Sequence, residues 1–239
     1  MKSHVLAKLA AATASVVMMA IAAPAQAFSF SFGTDSIKFG NDTTVDFEFR
    51  ESHGAYTSGV SIFEQNNLSK AVANLFWETK QSDNRGANEW KGSFGNAVTS
   101  RTGLNLASFT FKSGVAYTLG LVSGSNGTVY STSGLNRNST QQAVFGDAGT
   151  LWSALDKSTT AHFSAAPRYN SGDLFNGPVL VSFDDRGNRN DTDFQDFTIQ
   201  ARAQNPSQPV PEPLSLGGIA LAGAGLSYFR RRQQKAKAV

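Results

Sequence analysis

Between residues 28 and 203, apolar and polar side chains alternate with a period of two in several short runs, the pattern of half-buried strands. Phe28, Phe30 and Phe32 alternate with Ser29, Ser31 and Gly33; Val45, Phe47 and Phe49 alternate with Asp46, Glu48 and Arg50; Phe109 and Phe111 alternate with Thr110 and Lys112. Residues 115–122, 178–183 and 197–203 read as further strands. Turn-forming runs separate them: Ser123-Gly124-Ser125-Asn126-Gly127, Asp83-Asn84-Arg85-Gly86 and Asp185-Arg186-Gly187-Asn188. One stretch, 141–155, hints at a helical turn through Val144, Leu151 and Leu155, weakened by Gly146 and Gly149. No repeat of fixed period occurs. The pattern predicts an all-β fold, a single β-sandwich or jelly-roll-like domain over 28–203, with a short polar linker at 204–209.

Both ends depart from that pattern. Lys2 and Lys8 precede an apolar stretch from Leu9 to Ala23, and Ala25-Gln26-Ala27 supplies the small-x-small site that signal peptidase requires. Residues 1–27 therefore read as a secretory signal peptide cut after Ala27. At the other end, Leu214 to Phe229 is uncharged and runs directly into Arg230-Arg231-Arg232. As a helix its 16 residues span about 24 Å, short of the roughly 30 Å hydrocarbon core. A short, glycine-containing span makes a weak permanent anchor and suits transient insertion in the inner membrane, with the arginines as a stop-transfer cluster on the cytoplasmic side.

Val210-Pro211-Glu212-Pro213 lies immediately before this span. The order of motif, apolar helix and arginine cluster over 210–239 resembles the PEP-CTERM sorting signal of Gram-negative bacteria. The resemblance implies recognition by exosortase, a membrane protease-transpeptidase, and release of the body to the cell envelope or extracellular matrix. Pro211, Glu212 and Pro213 are then substrate residues rather than catalytic ones. The prolines hold the segment extended, a form a protease cleft can read.

Charge removes one class of partner. The chain has a formal charge of +3, yet residues 28–208 hold 14 basic and 17 acidic residues, a net −3. The basic balance belongs to the two ends, so nucleic acid is not expected. There is no cysteine, which excludes disulfides, thiolate metal sites and cysteine nucleophiles. Enzyme motifs are also missing: the sequence has no G-x-S-x-G, H-E-x-x-H, Walker loop or G-x-G-x-x-G. His53 and His162 have no local triad signature. Asp46 and Glu48 share a strand face, but as the polar side of an alternating strand.

The densest chemistry lies in residues 183–197, where Asp184, Asp185, Asp191, Asp193 and Asp196 fall within thirteen residues. Two readings apply. Calcium takes six to eight oxygen ligands, which Asp184, Asp191, Asp193 and Asp196 can supply in part. Alternatively the loop is a polar hairpin whose aspartates bond the backbone as Asx turns, with Arg186 and Arg189 offsetting the charge. The stretch also resembles the closing segment of the secreted domain of unknown function 4114. The match is Phe183-Asp184, Gly187, Asp191-x-Asp193-Phe194 and Asp196-Phe197, with Gln195 where that pattern has Asn. A fainter echo is Gly54-Ala55-Tyr56 before an apolar strand. The resemblance implies a secreted, calcium-associated β-domain.

These features point to an exported, non-enzymatic protein of the envelope or matrix, with matrix polysaccharide as the expected contact. The alternatives are a secreted carbohydrate-binding module, for which Trp77, Trp90 and Trp152 are the candidate aromatics, and a secreted hydrolase.

Overall fold

The longest alternating run becomes the longest strand, β3 (Thr43–Ser52), and burial follows its period: Val45, Phe47 and Phe49 are sealed in the core while Arg50 is exposed. The computed structural model describes residues 29–54, 56–84, 90–124, 126–155, 163–186 and 192–204. The signal peptide and sorting segment read from the sequence lie outside these residues, as do His162 and Asp191. Among the described residues no helix is long and apolar enough to cross a membrane.

Two antiparallel sheets make up the fold. One contains β1 (Phe30–Phe32), β2 (Ile37–Phe39), β4 (Ser58–Glu64), β5 (Ala73–Glu78), β6 (Val98–Ser100), β8 (Tyr117–Ser123) and β9 (Gly127–Tyr130), in the order β1-β2-β8-β4-β5-β6 with β9 also paired to β8. The other runs β10-β11-β12-β3-β7, where β7 is Ala107–Phe111, β10 Ala143–Asp147, β11 Val179–Phe183 and β12 Phe197–Ala203. The inner faces share one core, giving a sandwich-like, all-β body. Ring pairs bridge the sheets: Phe49 to Phe76 at 6.1 Å, Phe39 to Phe111 at 5.3 Å and Phe32 to Phe145 at 5.2 Å. Burying one such phenylalanine stabilises the fold by about 1.5–3 kcal/mol, so the phenylalanine-rich composition is the core itself.

The expected helical turn is shorter than 141–155. Residues 143–147 pair with β11 from Ala143–Phe183 to Asp147–Val179, and only Ala148–Ala154 is helical (α1). Asp147 divides the two, because its Oδ1 accepts the N–H groups of Gly149 and Thr150, both at 3.0 Å. Those bonds hold its carboxyl below the usual range. Val144, Leu151 and Leu155 do meet, in a second apolar cluster with Phe163, Leu180 and Phe194.

The β11–β12 hairpin positions the acidic loop. Phe183 pairs with Phe197, and Phe197 pairs in turn with Ser52 of β3, with a register shift between Thr198 and Ile199. The loop therefore emerges at the end of the sheet, beside the chain leaving β3 at His53 and Gly54.

Candidate metal centre

Phe183 and Phe197 are both fully buried, so the residues flanking them are drawn toward the interior as well. Asp184 is 0% exposed, Asp185 2% and Asp193 3%, far below the usual exposure of carboxylates. Backbone bonds fasten the base of the loop: Asp184 N–H donates to Gln142 O at 3.1 Å and Asp196 N–H to Phe183 O at 3.0 Å. Ser182 Oγ donates to Phe194 O at 2.5 Å, and Phe194 itself is 1% exposed within the second apolar cluster. Arg186, Thr192 and Phe194 all take positive φ, a left-handed backbone conformation uncommon outside glycine.

Within this frame, carboxylate oxygens of Asp184, Asp185 and Asp196 lie within 4.8 Å of one another. Asp184 accepts the N–H of Arg186 at 2.6 Å through Oδ1 and that of Thr192 at 3.0 Å through Oδ2, so it joins the two arms of the loop. Asp196 Oδ2 accepts the N–H of Asp185 at 2.6 Å. The carbonyl of Asp196 accepts the N–H groups of His53 and Gly54 at 3.2 and 3.3 Å, tying the loop to the end of β3. Asp193 Oδ2 accepts the amide of Gln195 at 2.8 Å.

Burial raises the pKa of Asp196 well above the ordinary carboxylate range, and the charges of Asp185, Asp193 and Asp184 push it further in the same direction. A fifth carboxylate feels one of these charges. Glu78, at the end of β5, is raised to about 7 chiefly by burial, with a further push from Asp185. Its Oε1 lies 2.5 Å from Ser52 Oγ, and its Oε2 accepts the N–H of Ser58 at 2.8 Å. Among the described residues the ion pairs are His53–Glu51, Lys91–Glu51 and Lys112–Asp42, so Arg186 pairs with none of the described loop carboxylates.

Of the four expected ligands, Asp184 and Asp196 come together and Asp193 stays close enough for its charge to act on Asp196. Asp191 lies outside the described residues. Asp185 completes the cluster in a place the sequence pattern assigned to turn punctuation. Its one sequence signal is adjacency to Asp184 directly after a strand. Gly54 is a second residue whose role was not legible. A Cβ there would lie 3.1 Å from Asp185 Oδ2 and 3.3 Å from Asp196 Oδ1, so the bare backbone leaves room beside both carboxylates. The Gly54 echo and the acidic loop are thus neighbours in space.

Chemically, three close carboxylates form a hard-oxygen donor set, suited to calcium rather than to a softer metal. The two-residue carboxylate pair Asp46 and Glu48 sits elsewhere, on the outer face of β3, where Asp46 Oδ1 accepts Ser108 Oγ and Gln204 Nε2. His53 Nε2 lies 3.1 Å from Glu51 Oε1. Trp152 stacks under the Arg50 guanidinium at 5.3 Å. Comparison with family models, with curated proteins and with solved structures finds no match to this chain.

Proposed function

We propose that this chain is an exported, non-enzymatic β-domain protein of the cell envelope or extracellular matrix, whose last hairpin is tied by calcium. Signal peptidase cuts after Ala27; residues 214–229 hold the chain briefly in the inner membrane; exosortase reads Pro211-Glu212-Pro213 and releases the body. Two terminal signals flanking one β-body support the export reading.

The observation that carries the calcium reading is the convergence of Asp184, Asp185 and Asp196 at a glycine-lined corner of the sheet. Without a cation, mutual repulsion adds to the cost of burying these groups. A divalent ion would offset that cost and lock β12 between β11 and β3. Such an ion is structural: it fixes the loop and performs no chemistry on a substrate.

The test is fractionation in cells with and without exosortase, with mass spectrometry of the recovered protein. The expected product outside the cell begins at Phe28 and lacks Arg230-Arg231-Arg232. An intact C-terminus in the extracellular fraction overturns the sorting reading, and an unchanged melting temperature with calcium or chelator overturns the structural-ion reading.

A further inference from the structure

We propose that the outer face of the seven-stranded sheet, centred on Trp77, binds a neutral polysaccharide chain. This inference stands independently of the sorting signal and of the calcium site.

The register fixes what that face presents. Trp77 of β5 is opposite Gly59 of β4, Gly59 is opposite Val122 of β8, and Val122 is opposite Thr128 of β9. The next outward row is Asn74, Ser61, Gly120 and Tyr130. Four strands at about 4.8 Å spacing make a platform about 14 Å across, enough for a short oligosaccharide. Glycine occupies an inner position in each row, where neighbouring atoms fill the space a side chain would take. Side chains have no room there: a Cβ at Gly59 would lie 2.8 Å from Trp77 Cβ, and one at Gly120 2.7 Å from the ring of Phe63. An open groove of about 580 Å³ lies on this face, lined by Trp77, Asn74, Ser61, Gly59, Val122 and Thr128 among others.

Its chemistry selects a class of ligand. Among the described residues Glu78 is the one ionisable residue lining the groove; it is buried, and its carboxylate is engaged by Ser52 and Ser58. The described lining therefore presents no exposed charge to attract an anionic or cationic polymer. Trp77 is partly exposed, takes part in no ring or cation stacking, and its indole N–H has no partner among the described residues. Beside it, Asn74 uses its Oδ1 to accept Ser61 Oγ at 2.9 Å, which leaves its NH2 group for another acceptor. Val122, 39% exposed, extends the apolar strip past Gly59. An aromatic plane flanked by neutral amide and hydroxyl groups matches a pyranose ring, with an apolar C–H face and a rim of hydroxyls. Trp152, by contrast, already stacks with Arg50.

Native affinity electrophoresis of the purified full chain tests this, in gels containing hydroxyethylcellulose, galactomannan or dextran as neutral polymers and alginate as an anionic one. The expected result is retardation by at least one neutral polymer and none by alginate. Trp77→Ala should weaken that binding about tenfold or more. Thr128→Arg keeps the ring and places bulk and charge at the end of its row, so it should weaken binding even if Trp77→Ala fails to fold. Trp152→Ala should bind as the parent does. Absence of retardation by all three neutral polymers, retardation by alginate alone, or unchanged binding by Thr128→Arg would overturn the proposal.

Discussion

The backbone N–H of Asp185 donates a 2.6 Å hydrogen bond to the carboxylate of Asp196, so two acidic residues from opposite arms of one hairpin are held face to face. Holding them there against their own repulsion has a measurable consequence. Extracellular calcium sites bind in the range of about 0.1–1 mM, and a ligand at a hundred times its dissociation constant stabilises by about 2.7 kcal/mol. Thermal unfolding of the chain should therefore shift upward in calcium at about 10 mM for a site at the tight end of that range. Asp196→Asn should abolish the shift. Asp193→Asn should reduce it less, because Asp193 acts on the cluster through its charge and spends one oxygen on Gln195. Equal loss in both variants would move Asp193 into the ligand set.

Gly54→Ala is expected to destabilise the protein by about 1–3 kcal/mol, the usual cost of adding a methyl group to a filled space. The added carbon would sit 3.1 Å from both Asp185 Oδ2 and the Cβ of Asp196. It should also weaken the calcium response, since relief of the contact separates the two carboxylates. Denaturant unfolding with and without calcium measures both effects. A variant as stable as the parent and equally responsive would show that this corner has slack.

Glu78 predicts the direction of the pH dependence. Its pKa is raised from 4.5 to about 7 in the folded protein, so between those values the folded state binds more protons than the unfolded one. The stabilisation it contributes is complete below pH 4.5 and is lost as pH rises to about 7, a fall worth about 3 kcal/mol. Asp196 is raised too and acts in the same direction. Urea unfolding in the presence of a chelator should therefore show stability declining as pH rises from 4.5 to 7. Glu78→Gln can still bond Ser52 and Ser58, and it should flatten that slope and raise stability at pH 8. An unchanged slope would assign the pH dependence to Asp196 alone.

What the sequence made legible follows from how each element is buried. The alternating half of β3 and the whole of β12 were readable because one face meets the core and the other meets polar surroundings, and β12 occupies the expected residues 197–203. Strand β10 carries no alternation: Ala143 to Gly146 are all buried, since α1 and Phe163 cover the side that would otherwise face water. In β5 a register shift opposite Val60 and Ser61 leaves Leu75 and Phe76 buried in succession, which breaks the period. The site divides the same way. Asp184 and Asp196 belong to one local hairpin and stood out as a charge cluster. Gly54 and Glu78 reach it from β3 and β5 through pairings distant in sequence, and no local pattern records those pairings.

Glu212→Ala isolates the sorting step from the fold. The body is closed before the motif begins: Ala203 N–H donates to Leu174 O at 3.3 Å, Gln204 N–H donates to Thr44 O at 2.9 Å, and the Gln204 side chain reaches Asp46. Residue 212 lies eight residues beyond Gln204, the last described position, so Glu212→Ala is expected to leave the core and the acidic loop untouched. If the tripeptide is read in an extended cleft between two fixed prolines, loss of its one charged side chain should block processing. Precursor should then accumulate in the membrane fraction with an intact Arg230-Arg231-Arg232 end, while its melting temperature and calcium response match those of the parent. Normal maturation would instead assign recognition to the apolar span and its arginines.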